Sequence, residues 1–233
     1  MFNKKICAKT IIYNSAIEEE LEWRRDENNA HDVAIVDELL QEVRSIGWGY
    51  KFFVDIINRD NKDKELLNLL LKYIGRFDDD WFSASLVGVV GQKGNTDFTK
   101  TILESYRSLS RKSKQHHGAF YDNALSRIKD KRFIEEYLEL LEDSSEAMHL
   151  PFTMAMLGKW HIEKAKQCFL CYLRNDGTED RLVYISMNGL SYYPDVDGEI
   201  ELLIGEKLKS DNKDIVMAAT KAIKRINKAK NQE

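Results

Sequence analysis

The sequence predicts an all-α fold, a right-handed α–α superhelix (solenoid) of about five to six helical hairpins. The first observation is a period, because a small or medium residue followed by an aliphatic one recurs at steps of 36, 32, 33 and 33 residues, at Gly88, Ala124, Met156, Gly189 and Ala222. A near-constant step of this length is typical of stacked helical hairpins. The second is composition, since 12 Gly and 2 Pro are few for an all-β fold with many turns. No segment shows convincing strand alternation.

The chain is predicted to form an N-terminal helical cap at residues 1–30 and a repeat solenoid at residues 31–233, together one structural domain. In the cap, Ser15 and Glu18 have the spacing of a capping box, which predicts that a helix begins there. Apolar residues at helical spacing, bounded by Gly, Asn and Asp, predict the later helices. These are residues 31–47, 50–57, 65–74, 81–90, 96–109, 116–128, 132–141, 147–160, 163–173, 179–190, 199–208 and 213–226.

Three turns between paired helices share a further pattern, in which Asp is followed three residues later by Glu or Asp. The first residues of these three pairs are Asp143, Asp176 and Asp211. An aspartate side chain accepts hydrogen bonds from first-turn amides, and a second carboxylate suits the positive end of the helix dipole. Each of the three is therefore predicted to cap the second helix of its hairpin.

The last hairpin carries the pattern that names a family. After an aliphatic helix and an acidic turn, residues 214–223 read Asp-Ile-Val-Met-Ala-Ala-Thr-Lys-Ala-Ile. This resembles a HEAT-like (armadillo-type) helical repeat. The match is good over residues 197–226, fair over 63–91 and 131–191 and poor before residue 60, and most first helices lack the usual Pro. Because the family shares a shape and not a chemistry, the resemblance implies a curved scaffold that binds protein or nucleic acid.

Second helices line the concave side of such solenoids, so that side is the predicted binding surface. Counting from the repeated small residue predicts which positions face it: Ser83, Val87, Val90, Ala119, Asn123, Ser126, Pro151, Ala155, Gly158, Tyr184, Asn188, Ser191, Met217, Lys221 and Lys224. Tyr and Arg are frequent binding hot spots. The predicted partner-binding residues are Arg181, Tyr184, Asn188, Tyr192, Met217 and Lys221, with Asn123 and His116 extending the surface toward the N-terminus.

Few residues suggest chemistry. Cys168 and Cys171 lie within one predicted helix without the further ligands that a zinc site needs, so packing is favoured over a metal or redox role. The basic segment 110–114 before His116 has two interpretations, a phosphate-binding helix start or a solvated turn, and the turn is favoured. We expect no catalytic residue, metal ligand or cofactor, and hence no enzyme.

Composition narrows the function further. The net charge of −4 argues against a dedicated duplex-DNA binder, whose domains are usually basic. Three cysteines without framework spacing suit a reducing cytoplasm, and no apolar run reaches the ~18 residues of a membrane span. We therefore expect a cytoplasmic, non-catalytic scaffold that binds another protein, a bacterial immunity protein against a toxin being one sharper form. The alternatives are a nucleic-acid-binding or DNA-repair protein similar to alkylpurine DNA glycosylases, and an accessory subunit of an enzyme.

Overall fold

The computed structural model describes residues 2–58, 62–194 and 198–230, with side chains from Tyr13 onward. Within these ranges the regular structure is helical and no strand occurs, which confirms the all-α prediction. The chain divides into two compact units, Met1–Ile128 and Lys129–Glu233, and each is described by itself.

The first unit pairs long and short helices. Its helices are α1 (Phe2–Trp23), α2 (Ala30–Ser45), α3 (Phe53–Ile57), α4 (Lys64–Leu71), α5 (Asp80–Val90), α6 (Thr99–Ser108) and α7 (Arg111–Ile128). Three of them lie side by side in the order α3, α5 and α7, while α1 packs on α3, α4 on α5, and α6 on α7. Phe53, Phe77 and Phe82 join α3 to α5, with ring centroids 4.9 to 6.3 Å apart.

The helix α1 differs from the prediction at its start. It begins at Phe2 and runs without interruption to Trp23, so Ser15 lies inside the helix and caps nothing. The Ser15 hydroxyl instead donates to the carboxylate of Glu19, one turn later, at 3.1 Å. The capping-box prediction is wrong because the helix continues upstream, where a serine can bond along the helix surface.

Two buried carboxylates cap helices from a distance in the sequence. Glu20 on α1 accepts from the backbone N–H groups of Phe53 at 3.0 Å and Val54 at 3.1 Å, at the start of α3. Asp32 on α2 likewise accepts from the N–H groups of Asp78 and Asp79, at 2.8 and 2.9 Å, ahead of α5. Both side chains are at most 7% exposed. Each thereby satisfies amide groups that have no partner within their own helix.

The second unit is a two-layer stack of three hairpins. Its helices are α8 (Ile134–Glu142), α9 (Ser144–Ala147), α10 (Pro151–Lys159), α11 (Glu163–Arg174), α12 (Asp180–Leu190), α13 (Gly198–Glu206) and α14 (Lys213–Lys230). In one layer α8, α11 and α13 are neighbours, and in the other α10, α12 and α14 are neighbours. The layers join through the pairs α8–α10, α11–α12 and α13–α14. The helix predicted over residues 147–160 is wrong at its start, because α9 ends at Ala147 and α10 begins at Pro151.

Two tyrosine hydroxyl groups in this unit donate to backbone carbonyl groups at the ends of other helices. The hydroxyl of Tyr172 donates to the carbonyl of Leu141 at 2.6 Å, and that of Tyr193 donates to the carbonyl of Ile162 at 2.6 Å. In both pairs the two residues are 31 positions apart. Leu141 lies in the last turn of α8, so Tyr172 on α11 ties the second hairpin to the first. Ile162 directly precedes α11 and Tyr193 follows α12, so the second bond joins the two ends of the α11–α12 hairpin.

The three aspartates predicted as helix N-caps differ in what they cap. Asp143 accepts from the N–H of Ser145 at 2.9 Å, but it caps the short helix α9 and not the second helix of the hairpin, α10, whose N-cap position is Leu150. At α12 the N-cap position is Glu179 and not Asp176, and before α14 the side chain of Asn212 accepts from the N–H of Asp214 at 2.9 Å. The predictions for Asp176 and Asp211 are wrong because these helices start one to three residues later than the pattern suggested.

Two buried tyrosines make a matched test of the core. Tyr137 is fully buried and its hydroxyl has no hydrogen-bond partner among the described residues, whereas the hydroxyl of Tyr121 lies 2.9 Å from that of Ser105. Burial raises the pKa of both phenols, that of Tyr121 to about 12, so both are neutral at pH 7. We expect Tyr137→Phe to be neutral or to stabilise by up to about 1 kcal/mol, and Tyr121→Phe to cost about 1 kcal/mol, in urea unfolding followed by circular dichroism. An equal loss in both variants would contradict the assignment of an unpaired hydroxyl to Tyr137.

Candidate functional site

The candidate site lies on the exposed side of three neighbouring helices, α10, α12 and α14, which we call the second-helix face. Residues 181, 184 and 188 recur on α12 at steps of three and four, and residues 217 and 221 on α14 at a step of four, so each set shares one side of its helix. Arg181 and Lys221 are exposed, and Asn188 and Tyr192 are half-buried. The six predicted residues of this unit therefore lie on two adjacent helices or directly after one of them.

Large apolar side chains are exposed on each of these helices. Phe152 on α10 is 57% exposed, Tyr184 on α12 is 39% exposed and Met217 on α14 is 48% exposed. They follow one another at 32 and 33 residues, which is the period of the hairpins. Exposed apolar groups that recur on adjacent helices are typical of a surface that binds another molecule.

Tyr192, just after α12, is the centre of a polar cluster that we call the Tyr192 cluster, made of Lys159, Asn188, Ser191, Tyr192 and Arg225. The Arg225 guanidinium carbon lies 4.1 Å from the Tyr192 ring centroid, and the Lys159 ammonium lies 4.8 Å from it. Two cations over one ring are favourable cation–π contacts. Nη1 of Arg225 also donates to Oδ1 of Asn188 at 3.0 Å and to Oγ of Ser191 at 2.5 Å.

Sequence reasoning predicted Asn188 and Tyr192 but missed Lys159 and Arg225. The signal was present, because residues 159, 192 and 225 are spaced by 33, the same period as the repeated small residue. Equivalent positions of stacked hairpins lie beside each other. The predicted open side is counted from residues 184, 188 and 191 and their equivalents, so it does not include residues 159, 192 and 225.

Basic residues dominate these three helices. Their basic residues are Lys159, Arg181, Lys213, Lys221, Lys224, Arg225, Lys228 and Lys230. Their acidic residues are Asp180 and Asp214, which lie in the first turns of α12 and α14, where carboxylates suit the helix dipole. Lys159, Lys221 and Arg225 form no ion pair with a carboxylate that the structure describes. The second-helix face therefore presents uncompensated positive charge on a chain whose net charge is −4.

Several positions predicted to face the open side are buried. Ser83, Val87 and Val90 are inside the first unit, because α5 packs against α3, α4 and α7 and has almost no free side. Ala155 and Ser191 are buried as well. At the sixth such position, Gly158, an added Cβ would lie 2.4 Å from the carbonyl oxygen of Gly189, so α10 and α12 touch there through their backbones.

His116 and Asn123 lie on α7, in the first unit, and both are exposed. Asn123 bonds its own helix, donating to the carbonyl of Ala119 at 2.8 Å, and the His116 ring lies 6.2 Å from that of His117. Helix α7 begins at Arg111, so the basic segment favoured as a solvated turn is helical instead. A binding role for His116 and Asn123 stays a prediction.

Two other candidates for chemistry are the Cys168 thiol and a group of one histidine and two aspartates. Burial raises the pKa of the Cys168 thiol, which keeps it protonated and weakens it as a metal ligand or nucleophile. Among the described residues, His31, Asp32 and Asp78 form a group close enough to share a cation. Both oxygens of Asp32 already accept backbone hydrogen bonds, and Nδ1 of His31 lies 3.0 Å from the Asp78 carboxylate. The group has the geometry of a helix cap, and we assign no metal to it.

No family model, no curated protein and no solved structure matches this chain. In the part of the chain that the structure describes, no helix has the length and apolar character needed to cross a membrane. The function is therefore argued from the geometry of the second-helix face.

Proposed function

We propose that the chain is a non-catalytic scaffold that binds another protein through the second-helix face. The observation that carries the proposal is the exposure of Phe152, Tyr184 and Met217 on three adjacent helices, at one period from each other. Aromatic residues, Met and Arg are enriched at protein–protein interfaces, and Tyr and Arg are frequent hot spots. An inhibitor that neutralises a toxin is a special case of this function.

The architecture we propose is a HEAT-like superhelix with the second-helix face on its concave side. The two-layer stack of three hairpins and the hydrogen bonds that Tyr172 and Arg225 make to the preceding hairpin support this architecture. A curved face lets one partner contact several second helices at once, which explains why anchors are spread over α10, α12 and α14.

Site-specific photo-crosslinking tests whether a protein docks on this face. A photoreactive amino acid replaces Tyr184, which is 39% exposed, in the full chain in its source cells, with Leu208, 42% exposed and outside the face, as the matched control position. We expect a crosslinked protein from position 184 and a much weaker product from position 208. Equal products from both positions, or none from position 184, would refute the proposed surface.

Once the partner is identified, alanine variants measure the anchors. We expect at least one of Arg181→Ala, Tyr184→Ala, Asn188→Ala and Lys221→Ala to lose about 2 kcal/mol or more of binding free energy, because hot spots concentrate affinity in few residues. The melting temperatures should stay close to that of the parent, since these side chains are exposed or half-buried. Glu206→Ala and Lys209→Ala, on the exposed side of the last hairpin, are the controls. Loss of affinity only in the two controls would place the interface elsewhere.

Nucleic acid is the competing partner, because the face combines basic and aromatic side chains. The net charge of −4 opposes a polyanion, and we expect duplex DNA to bind no more tightly than about 1 μM at physiological salt, without sequence preference. Fluorescence anisotropy with a labelled duplex measures this. Sub-micromolar binding would favour nucleic-acid recognition over protein binding.

A further inference from the structure

The guanidinium of Arg225 is held in a fixed orientation. Its Nη1 donates to both Asn188 and Ser191, and its plane lies over the ring of Tyr192. Ser191 is 3% exposed, and its own hydroxyl donates to the carbonyl of Asn188 at 2.8 Å, so it accepts from Arg225 in a defined geometry. A side chain already ordered in the free protein loses less conformational entropy when it binds a ligand.

The rest of the half-buried guanidinium has no hydrogen-bond partner among the described residues. An arginine carries five N–H donors, and the two bonds described above use Nη1 alone. Nε and Nη2 of Arg225 donate to no residue that the structure describes, and no described carboxylate pairs with them. These two nitrogens form one edge of the fork, the arrangement that binds both oxygens of a carboxylate in parallel.

The surroundings of Arg225 favour an anion. Lys159 contributes a second cation near the same ring, and Lys221 lies one turn before Arg225 on α14. The acidic residues of α12 and α14, Asp180 and Asp214, are confined to the opposite ends of these helices. A ligand carboxylate at Arg225 would therefore meet positive charge from two neighbouring side chains.

We propose that Arg225 is the centre of a carboxylate-binding subsite that receives an Asp or Glu side chain of the partner protein. Tyr192 forms its floor, Asn188 and Ser191 orient the guanidinium, and Lys159 supplies the second charge. The proposal rests on the proposed function, because it names the chemistry by which the same face recognises its partner. A phosphate would fit the fork equally well, but the apolar side chains of Tyr184 and Met217 on the same two helices favour a protein.

NMR titration of the arginine side chains tests the subsite without the partner. The probes are a blocked tetraglutamate peptide, a blocked tetralysine peptide of the same length, and a thymidine tetranucleotide, each added to the full ¹⁵N-labelled chain. We expect tetraglutamate to shift the Nε–H resonance of Arg225 saturably and that of the exposed Arg181 by much less. Tetralysine should shift neither. A response at Arg225 no larger than at Arg181 would overturn the subsite, and so would a response to the tetranucleotide but not to the peptide.

Two variants then separate the contribution of the bidentate guanidinium from that of its charge. Arg225→Lys keeps the charge but removes the fork, and we expect it to weaken tetraglutamate binding about tenfold, as for the loss of one charge-assisted hydrogen bond. Arg181→Lys is the matched control and should change binding less than about twofold. If Arg225→Lys does not fold, the titration of the parent chain still decides whether Arg225 binds a carboxylate. Failure of the titration leaves the crosslink from position 184 unaffected, so the subsite and the proposed function fail separately.

Discussion

Replacing Gly158 by alanine is expected to destabilise the second unit strongly. An added Cβ would lie 2.4 Å from the carbonyl oxygen and 2.9 Å from the Cα of Gly189, and backbone atoms cannot move aside as a side chain can. Overpacking of this kind costs on the order of 1–3 kcal/mol or more, and each kcal/mol lowers the melting temperature by about 2–4 °C in a chain of this size. Thermal unfolding followed by circular dichroism at 222 nm measures the loss.

Gly205→Ala is the matched control for this experiment. Gly205 also lies in a helix, α13, but a Cβ there meets nothing within 4 Å. Since alanine is the better helix former, this variant should be unchanged or stabilised by roughly 0.5–1 kcal/mol. If Gly158→Ala melts no lower than the parent while Gly205→Ala behaves as expected, the close approach of α10 and α12 is wrong.

The second large loss of stability is expected for Glu20→Gln in the first unit. The carboxylate accepts from the backbone of Phe53 and Val54, and Arg24 donates to the same side chain at 2.9 Å. An amide replaces one of the two acceptor oxygens by an N–H₂ group that faces a donor, and it removes one of the two carboxylates, Glu20 and Asp37, with which Arg24 pairs. We expect a loss of roughly 2–4 kcal/mol, because a buried donor without an acceptor retains its full desolvation cost. Urea unfolding of the full chain measures it.

Glu18→Gln makes the same chemical change two residues earlier, on the exposed side of α1. Surface substitutions of this kind usually stay within about 0.5 kcal/mol. Similar unfolding midpoints for Glu18→Gln and Glu20→Gln would show that Glu20 does not fasten α1 to the start of α3.

Local patterns predicted the second unit well. Its helices carry apolar residues at helical spacing, and the small or medium residues at 156, 189 and 222 recur at steps of 33 residues. Gly189 is one of these positions, and an added Cβ there would lie 2.5 Å from the buried ring of Phe169. At Ser15 a local pattern failed, because a capping motif cannot show that the helix has already begun. The superhelical arrangement and the HEAT-like family stay predictions.

The contacts that matter most to the proposed site were not predictable from local patterns. Arg225 reaches Asn188 across 37 residues, and its role depends on which nitrogen is occupied and which is free. Periodicity can place Lys159, Tyr192 and Arg225 at equivalent positions, but it cannot place two cations over one ring. Similarly, nothing near Phe53 in the sequence indicates that Glu20, 33 residues earlier, supplies its cap.

Hydrogen bonds between hairpins of the second unit span 31 residues at Tyr172, 32 at Asn212 and 37 at Arg225. In the repeat array that we propose for this unit, stability passes from neighbour to neighbour, so the α13–α14 hairpin can open while α8 and α11 stay folded. Arg225 is one of the links that hold α14 to α12. A partner that binds this arginine would therefore stabilise the α13–α14 hairpin against opening. We expect binding to slow amide hydrogen exchange in α14, while the exchange rates in α8 and α11 stay unchanged.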